Sequence, residues 1–161
     1  MNKMAHIAQD QSRMGPAHKL SYTVLVTGST LWSNSIMIET LLNQAYRVEE
    51  GKTTPFRILT GMAKGADTVA RNWARRNDIQ CLAEDIGRRP SPELVKAYNR
   101  KHLAHKPDLV LAFKMNFDPN WHLETCDYGT EHMCRIAAKA GIPVLLNSVT
   151  DLRQRFYKEA I

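Results

Sequence analysis

The sequence predicts an α/β protein with a single doubly wound parallel sheet of about five strands and helices on both faces. Three observations point to this fold. From Leu20 onward, short apolar runs alternate with helical patterns, which is typical of consecutive β-α units. Residues 109–113 are apolar without interruption, as expected of a central strand that helices cover on both sides. The length of 161 residues suits one domain with one buried sheet.

Two strands and two helices are predicted in the first half of the chain. Residues 22–27 form the first strand, and a stripe of apolar residues at helical spacing follows a cap region at Ser33-Asn34-Ser35. Residues 56–60 form the second strand. The helix that follows covers residues 66–77, which carry apolar residues along one face.

The same alternation continues in the second half. A third strand covers residues 79–83, and Ser91 or Pro92 begins a helix, because serine caps helices well and proline fits the first helical position. The remaining predicted segments are a strand at 108–113, an unusually long loop at 114–128, a helix at 130–140 that ends at Gly141, a strand at 143–146 and a last helix at 151–159.

The beginning of the chain lacks the pattern of the rest. Residues 1–20 are mostly polar, include Gly15-Pro16 and show no sustained hydrophobic period. Such a segment cannot bury enough apolar surface to offset its ordering entropy. We therefore predict a flexible N-terminal tail at residues 1–20 and one folded domain at residues 21–161.

Composition favours a cytoplasmic protein with an anionic ligand. No apolar stretch approaches the roughly 18 residues of a membrane span, and the first residues lack the apolar core of a signal peptide. Three cysteines cannot all pair within one chain, which argues against a disulfide framework. The formal net charge is +6, with basic residues spread along the chain. This distribution favours a nucleotide partner over a nucleic acid and gives no reason to expect a membrane partner.

Three of the predicted strands lead into turns rich in glycine and hydroxyl groups. In a parallel sheet such turns lie at one edge, where helix N-termini present N–H donors and partial positive charge to anions. We therefore predict one phosphate site built from all three turns. Its residues are Thr27, Gly28, Ser29 and Trp32 from the first turn, Thr60, Gly61, Lys64, Gly65, Ala66 and Asp67 from the second, and Gly129 and Thr130 from the third.

The residue types suggest separate roles within this site. Backbone N–H groups of the turns bind the phosphate, Lys64 neutralises its charge, and Trp32 stacks on a base. Asp67 either accepts hydrogen bonds from ribose hydroxyls or caps the helix that it begins. Each feature also has a purely structural explanation, since glycine permits a tight turn and tryptophan often packs against its neighbours.

Together these segments resemble a known family. The motifs are Val24-Leu25-Val26-Thr27-Gly28-Ser29 with Trp32, Thr60-Gly61-Met62-Ala63-Lys64-Gly65-Ala66-Asp67, Asn99-Arg100, the strand at 107–113, and Gly129-Thr130. In this order they are similar to the YspA/YpsA-related branch of the SLOG superfamily, whose relatives include the DNA-processing protein DprA and the Lonely Guy phosphoribohydrolases. The resemblance implies a Rossmann-like fold, a nucleotide pocket to which Asn99 and Arg100 also contribute, and a homodimer.

The Lonely Guy enzymes hydrolyse the N-glycosidic bond of nucleoside 5′-monophosphates, and the resemblance to them bears on two positions. Arg100 occupies the place of a family arginine on the helix before the fourth strand, which implies phosphate binding and a catalytic role. The family motif Pro-Gly-Gly-x-Gly-Thr-x-x-Glu is present here only as Gly129-Thr130. Met133 occupies the position of the glutamate that assists departure of the base, so the sequence leaves enzymatic activity open.

Four other carboxylates are weaker candidates for that missing acid. Glu131 is two residues from Met133 and therefore about 200 degrees away around the helix. Glu124 and Asp127 lie on the predicted long loop, and Asp85 follows the third strand. Carboxylates in such positions are more often solvated than catalytic.

A zinc site is a further alternative at the same place in the chain. His122, Cys126, His132 and Cys134 are residue types that bind zinc, but their spacing matches no common ligand pattern. Residues two apart on a helix also face different directions. We therefore expect no metal and no cofactor.

Two functions from different classes remain. The leading hypothesis is binding of a nucleotide or nucleotide-derived ligand, either by a sensor or by a Lonely Guy-like hydrolase. The alternative is a DprA-like module that binds single-stranded nucleic acid. The sequence contains neither an aromatic ladder nor a clustered basic run, which are typical of that second class.

Overall fold

The structure, a computed structural model, describes residues 20–116 and 128–150. Strands and helices alternate throughout this part of the chain. The elements are β1 (Tyr22–Gly28), α1 (Ser35–Glu49), β2 (Phe56–Gly61), α2 (Ala66–Arg76), β3 (Gln80–Glu84), α3 (Pro92–Leu103), β4 (Leu109–Asn116), α4 (Tyr128–Lys139) and β5 (Val144–Thr150).

The five strands form one sheet in the order β3-β2-β1-β4-β5, and every neighbouring pair is parallel. Successive strands first extend the sheet from β1 through β2 to β3, after which the chain crosses back to place β4 on the other side of β1. The boundary between β1 and β4 is therefore the topological switch point, where ligands of open α/β sheets bind. The predicted α/β, doubly wound arrangement is confirmed.

Helices cover both faces of the sheet, and each face has its own core cluster. The first cluster joins the sheet to α1 and α2, and the second joins it to α3 and α4. Buried members of the first are Val24, Val26, Trp32, Ile38, Leu42, Phe56, Ile58, Ala66, Ala70, Trp73, Ala74, Leu111 and Phe113. Those of the second are Leu25, Leu59, Val110, Ala112, Met133 and Ala137.

Side chains cap two of the helices where the sequence predicts caps. The side-chain oxygen of Asn34 accepts a hydrogen bond from the Met37 N–H at 3.1 Å. The Ser91 hydroxyl accepts a hydrogen bond from the Leu94 N–H at 3.2 Å. Pro92 occupies the first helical position of α3. By contrast, α2 begins after Gly65, which has φ 73° and supplies no side-chain hydrogen bond.

The predicted loop at residues 114–128 is wrong at both ends. β4 continues to Asn116 because β5 pairs with it as far as Thr150, and α4 already begins at Tyr128. The strand predicted at 143–146 is likewise longer. The sequence pattern misses these extensions because Lys114, Asn116 and Ser148 are polar, whereas backbone pairing requires no apolar side chain.

Several predicted segments fall outside the described residues. These are the middle of that loop, the last helix at 151–159 and all of the predicted tail except Leu20, which is exposed. Within residues 20–116 and 128–150, no helix has the length and apolar character needed to cross a membrane.

Candidate functional site

The first and second turns lie directly against each other at the carboxyl edge of the sheet. A Cβ at Gly65 would overlap the Ser29 carbonyl oxygen and lie 2.9 Å from the Thr30 carbonyl oxygen. A Cβ at Gly28 would lie 2.6 Å from the Ala66 Cβ and 2.8 Å from the Phe113 carbonyl oxygen. Glycine is therefore required at both positions, since the two backbones approach more closely than any side chain permits.

Arg71 holds the second turn from within α2. Its Nη1 donates to the Gly61 carbonyl at 2.6 Å and to the Ala63 carbonyl at 3.5 Å, and its Nη2 donates to the Thr68 hydroxyl at 3.1 Å. The Thr68 hydroxyl in turn donates to the Ala63 carbonyl at 2.9 Å. Carbonyls that a tight turn leaves without ladder partners are thus satisfied by one helix.

Asp67 lies buried beneath the same turn. Burial raises the pKa of its carboxyl to about 6, although the neighbouring Thr60 side chain, the Ala63 backbone and the nearby Arg71 charge oppose that shift. A Cβ at Gly61 would overlap this carboxyl group and lie 2.9 Å from the Tyr98 hydroxyl. Asp67 is therefore buried at the start of α2, beside the Ala63 backbone and the Thr60 side chain, and its predicted contact with ribose stays a prediction.

The N-terminus of α2 lies against the first turn. Gly65 provides the N-cap without a side-chain acceptor, and its carbonyl accepts from the Val69 N–H at 3.2 Å. Lys64 precedes it and is exposed. The partial positive charge of the helix end and the positive charge of the adjacent residue Lys64 both attract an anion.

The first turn uses two of its predicted ligand groups internally. The Ser29 N–H, predicted to bind phosphate, donates to the Phe113 carbonyl at 2.8 Å. The Ser29 hydroxyl accepts from the Leu31 N–H at 3.2 Å, and the Ser29 side chain is fully buried. This serine therefore fixes the shape of the turn and has no donor left on its backbone for a ligand.

The prediction that Trp32 stacks on a base is corrected in the same way. Trp32 is only 3% exposed, and its ring packs on that of Phe113 with centroids 5.1 Å apart. Its Nε1 donates to the Asn34 carbonyl at 2.8 Å. The Trp32 ring is thus part of the first core cluster, in line with the structural explanation that tryptophan often packs against its neighbours.

The remaining predicted residues of these two turns differ in accessibility. Thr27 and Gly28 are half-buried at the end of β1, while Ala66 is fully buried. The Thr60 hydroxyl is buried and donates to the Val26 carbonyl at 2.9 Å, which ties β2 to β1. Lys64 is thus the exposed charged group among the predicted residues of the first two turns.

The third turn belongs to the opposite face of the sheet. The Asn99 side-chain amide donates to the Gly129 carbonyl at 2.8 Å and to the His132 Nδ1 at 3.1 Å, and Thr130 is buried. Asn99, predicted as a ligand residue, therefore fastens α3 to the first turn of α4. The contacts of the described residues join the first two turns to each other and the third turn to α3.

Arg100 is exposed on α3 beside this junction. Burial lowers the pKa of His132, and the positive charges of Arg100, Arg135 and Lys96 lower it further. His132 is therefore neutral at pH 7. Arg100 is exposed, and its predicted binding of phosphate stays a prediction.

The Lonely Guy glutamate position and two of the four alternative carboxylates lie in the described part of the chain. Met133 is 1% exposed and packs in the second core cluster. Glu131 is exposed and pairs with Lys114, while Asp85 is exposed and accepts from the Gly87 N–H at 2.8 Å. Glu124 and Asp127 lie outside the described residues.

The four possible zinc ligands divide in a similar way. His122 and Cys126 lie outside the described residues, whereas His132 accepts a hydrogen bond from Asn99. Cys134 is half-buried against the second core cluster, and burial raises the pKa of its thiol. Within residues 20–116 and 128–150, no three metal-binding side chains come together.

The end of β3 contains a polar cluster that the sequence did not indicate. The Tyr98 hydroxyl donates to the Glu84 carbonyl at 2.9 Å, and the Glu84 carboxylate pairs with Lys101. His102 packs against the Tyr98 ring and is 3% exposed, with its Nε2 3.5 Å from the Glu84 carboxylate. Burial lowers the pKa of His102 to about 4. The i, i+4 spacing of Tyr98 and His102 is the sequence signal for this contact.

Comparisons with known proteins agree with this arrangement of turns. Residues 22–85 match the YAcAr family, described as the YspA, cpYpsA-related SLOG family. The chain is also similar to the Gene 61 protein of Mycobacterium phage D29, with 28% identity over 137 residues, covering 76% of this chain and 93% of that protein. No solved structure matches the chain.

The matched segment contains β1, β2 and β3 together with both turns that meet at Gly28 and Gly65. Its position in a parallel five-stranded sheet is that of a Rossmann-like domain. Residues 22–85 are therefore similar to the YspA-related branch of the SLOG superfamily.

Proposed function

We propose that the protein binds a nucleotide or nucleotide-derived ligand by its phosphate at the N-terminus of α2 and acts as a sensor of that ligand. The observation that carries this proposal is the missing cap. Asn34 and Ser91 cap α1 and α3, whereas Gly65 brings no side-chain acceptor to α2. Uncapped N–H groups and the helix dipole together favour an anion.

The surroundings of this helix end support the proposal. Lys64 is exposed directly before Gly65 and adds a mobile positive charge. The neighbouring Asp67 carboxyl, with its pKa raised to about 6, carries less negative charge near pH 6 than an ordinary aspartate does. Repulsion between this carboxyl and a bound phosphate is correspondingly reduced.

A nucleotide is favoured over free phosphate by position and by family. The α2 N-terminus adjoins the end of β1, which borders the switch point between β1 and β4. A crevice at such a point accommodates a ligand larger than its phosphate. The similarity of residues 22–85 to the SLOG family supports a nucleotide-related ligand.

Hydrolysis of a glycosidic bond is not part of the proposal. The position of the acid in Lonely Guy enzymes is occupied by Met133, which is buried in the second core cluster. A buried thioether can neither donate a proton nor stabilise a cationic ribose. We therefore expect AMP to bind and to be recovered intact, as measured by chromatography of a long incubation.

Isothermal titration calorimetry tests the binding proposal with AMP, ADP-ribose and cyclic AMP as ligands. We expect saturable binding of at least one of them. Lys64→Ala should weaken that binding by about threefold to tenfold, since a charge-assisted contact contributes roughly 1 kcal/mol at an exposed site. The matched control is Arg75→Ala, an exposed cation at the other end of the same helix.

Two results would contradict the proposal. One is a folded wild-type protein that binds none of the three ligands. The other is equal weakening by the Lys64 and Arg75 variants, which would indicate a general charge effect. Binding of single-stranded oligonucleotides with affinity falling steeply as salt rises would instead favour the DprA-like alternative.

A further inference from the structure

Two large apolar side chains project from the first and second turns at the candidate site. Leu31 is 46% exposed and Met62 is 48% exposed. Single exposed apolar residues are common on protein surfaces. These two differ because each occupies a turn whose backbone is held in place, and because the two turns touch.

The first turn presents Leu31 in a fixed position. Ser29 accepts hydrogen bonds from the two following backbone groups, the Leu31 N–H through its hydroxyl and the Trp32 N–H through its carbonyl at 3.1 Å. The buried Trp32 ring anchors the next residue. Folding thus already restricts the backbone at Leu31, so that ligand binding has little backbone entropy left to remove there.

Met62 is held by an equivalent arrangement. The carbonyls on both sides of it, those of Gly61 and Ala63, accept from the Arg71 guanidinium. The side chain itself remains flexible and carries a polarizable thioether, which suits contact with an aromatic face.

Both residues belong to the turns that meet at the N-terminus of α2. The Thr30 carbonyl carbon, which is bonded to Leu31, lies 2.9 Å from a Cβ placed at Gly65. Met62 precedes Gly65 by three residues in the turn that leads into α2. A ligand held by its phosphate at this helix end therefore has an apolar side chain on each neighbouring turn.

We propose that Leu31 and Met62 form the surface that receives the base of the bound nucleotide. This inference rests on the proposed phosphate site at the α2 N-terminus. The flat face of a base is weakly hydrated and gains from apolar and thioether contact. Neither side chain donates or accepts a strong hydrogen bond, so the surface favours large bases by area and discriminates little between adenine and guanine.

Calorimetry with three probes tests this inference: AMP, GMP and ribose 5-phosphate, which lacks a base. For the wild-type protein we expect both nucleotides to bind about tenfold tighter than ribose 5-phosphate and within threefold of each other. The double variant Leu31→Ser/Met62→Gln should lose most of that advantage while binding ribose 5-phosphate within about twofold of wild type.

Val48→Ser is the matched control, because Val48 is 69% exposed near the C-terminus of α1, whereas the first turn precedes the N-terminus of that helix. It should leave all three affinities unchanged. Thermal unfolding verifies that every variant is folded. The inference is overturned if AMP and ribose 5-phosphate bind the wild type equally, or if the double variant keeps the full preference for AMP or weakens all three ligands equally. Absence of binding by all three probes would overturn the phosphate site itself.

Discussion

At the residue scale, Asp67 shows how burial changes the chemistry of a predicted site residue. Its pKa rises to about 6 because desolvation penalises the carboxylate more than the surrounding donors and Arg71 stabilise it. The folded protein therefore binds this proton more tightly than the unfolded chain does. Below about pH 4 both states are protonated, and between about pH 4 and 6 the ionisation of the unfolded chain lowers stability as pH rises.

We expect Asp67→Asn to remove this pH dependence. Relative to wild type, the variant should gain up to about 3 kcal/mol in free energy of unfolding between pH 4 and 7, following roughly two pKa units at 1.36 kcal/mol each. Its absolute stability depends on how well the amide fits, so the difference between variant and wild type across pH is the quantity to measure. Urea unfolding at several pH values provides it, and a difference that does not change with pH would contradict the prediction.

The variant must be compared with the wild type at each pH because His102 also makes stability depend on pH. Its pKa is lowered to about 4, so the unfolded chain binds the proton more tightly and stability rises with pH between about 4 and 6.5. The two buried groups thus act in opposite directions over the same interval. A wild-type profile alone shows only their sum.

At the element scale, α2 organises the candidate site. Its first turn supplies Asp67, its second supplies Arg71 to the turn before it, and its last turn carries Arg75 and Arg76. Arg76 also pairs with Glu39 of α1 at 2.6 Å. α2 therefore both holds the second turn and contacts α1, the other helix of the first core cluster.

Arg71→Lys should destabilise the protein although it preserves the charge. Lysine presents no planar fork, so the Gly61 and Ala63 carbonyls and the Thr68 hydroxyl cannot all be satisfied at once. We expect a loss of about 1–3 kcal/mol in free energy of unfolding, measured with urea. Arg75→Lys, where the exposed arginine donates to the Asn72 side chain at 3.5 Å, should change it by less than about 0.5 kcal/mol. Equal effects of the two substitutions would show that Arg71 does not hold the turn.

At the scale of the whole molecule, the sheet separates two core clusters. Ile38 packs in the first and Met133 in the second, and the two belong to helices on opposite faces. The sheet therefore lies between these two side chains, and each packs among the residues of its own cluster.

Substitutions in the two clusters should therefore be additive. We expect Ile38→Val to cost about 0.5–1.5 kcal/mol and Met133→Ala about 2–5 kcal/mol. The double variant should equal their sum within about 0.5 kcal/mol, as measured by urea unfolding. A coupling above about 1 kcal/mol would indicate that the two cores respond as one.

Much of the fold follows from local sequence patterns. Apolar runs and helical stripes locate every described strand and helix, and Asn34 and Ser91 mark the helix starts. These signals are local, since periodicity and capping depend on residues within a few positions. The ends of β4 and β5 are not local, because cross-strand pairing determines how far each extends.

The candidate site is less accessible to such reasoning. The sequence indicates the turns and Lys64. It does not indicate that the Ser29 N–H donates to the Phe113 carbonyl or that Arg71 binds the carbonyls of the second turn. Leu31 and Trp32 are adjacent apolar residues, and only the packing of the turn exposes one and buries the other. The spacing of Asp67 and Arg71 is the one local signal that points to this network.

The sequence by itself determined that this chain forms a doubly wound parallel sheet and places glycine turns at its strand ends, because these features depend on short-range patterning. Only the tertiary structure decided which groups of those turns remain available. Backbones 29–30 and 65 meet closely enough to exclude a side chain, and the core draws Trp32 and Met133 inward. Such choices depend on contacts between residues far apart in the chain, where burial and hydrogen bonding compete for the same atoms.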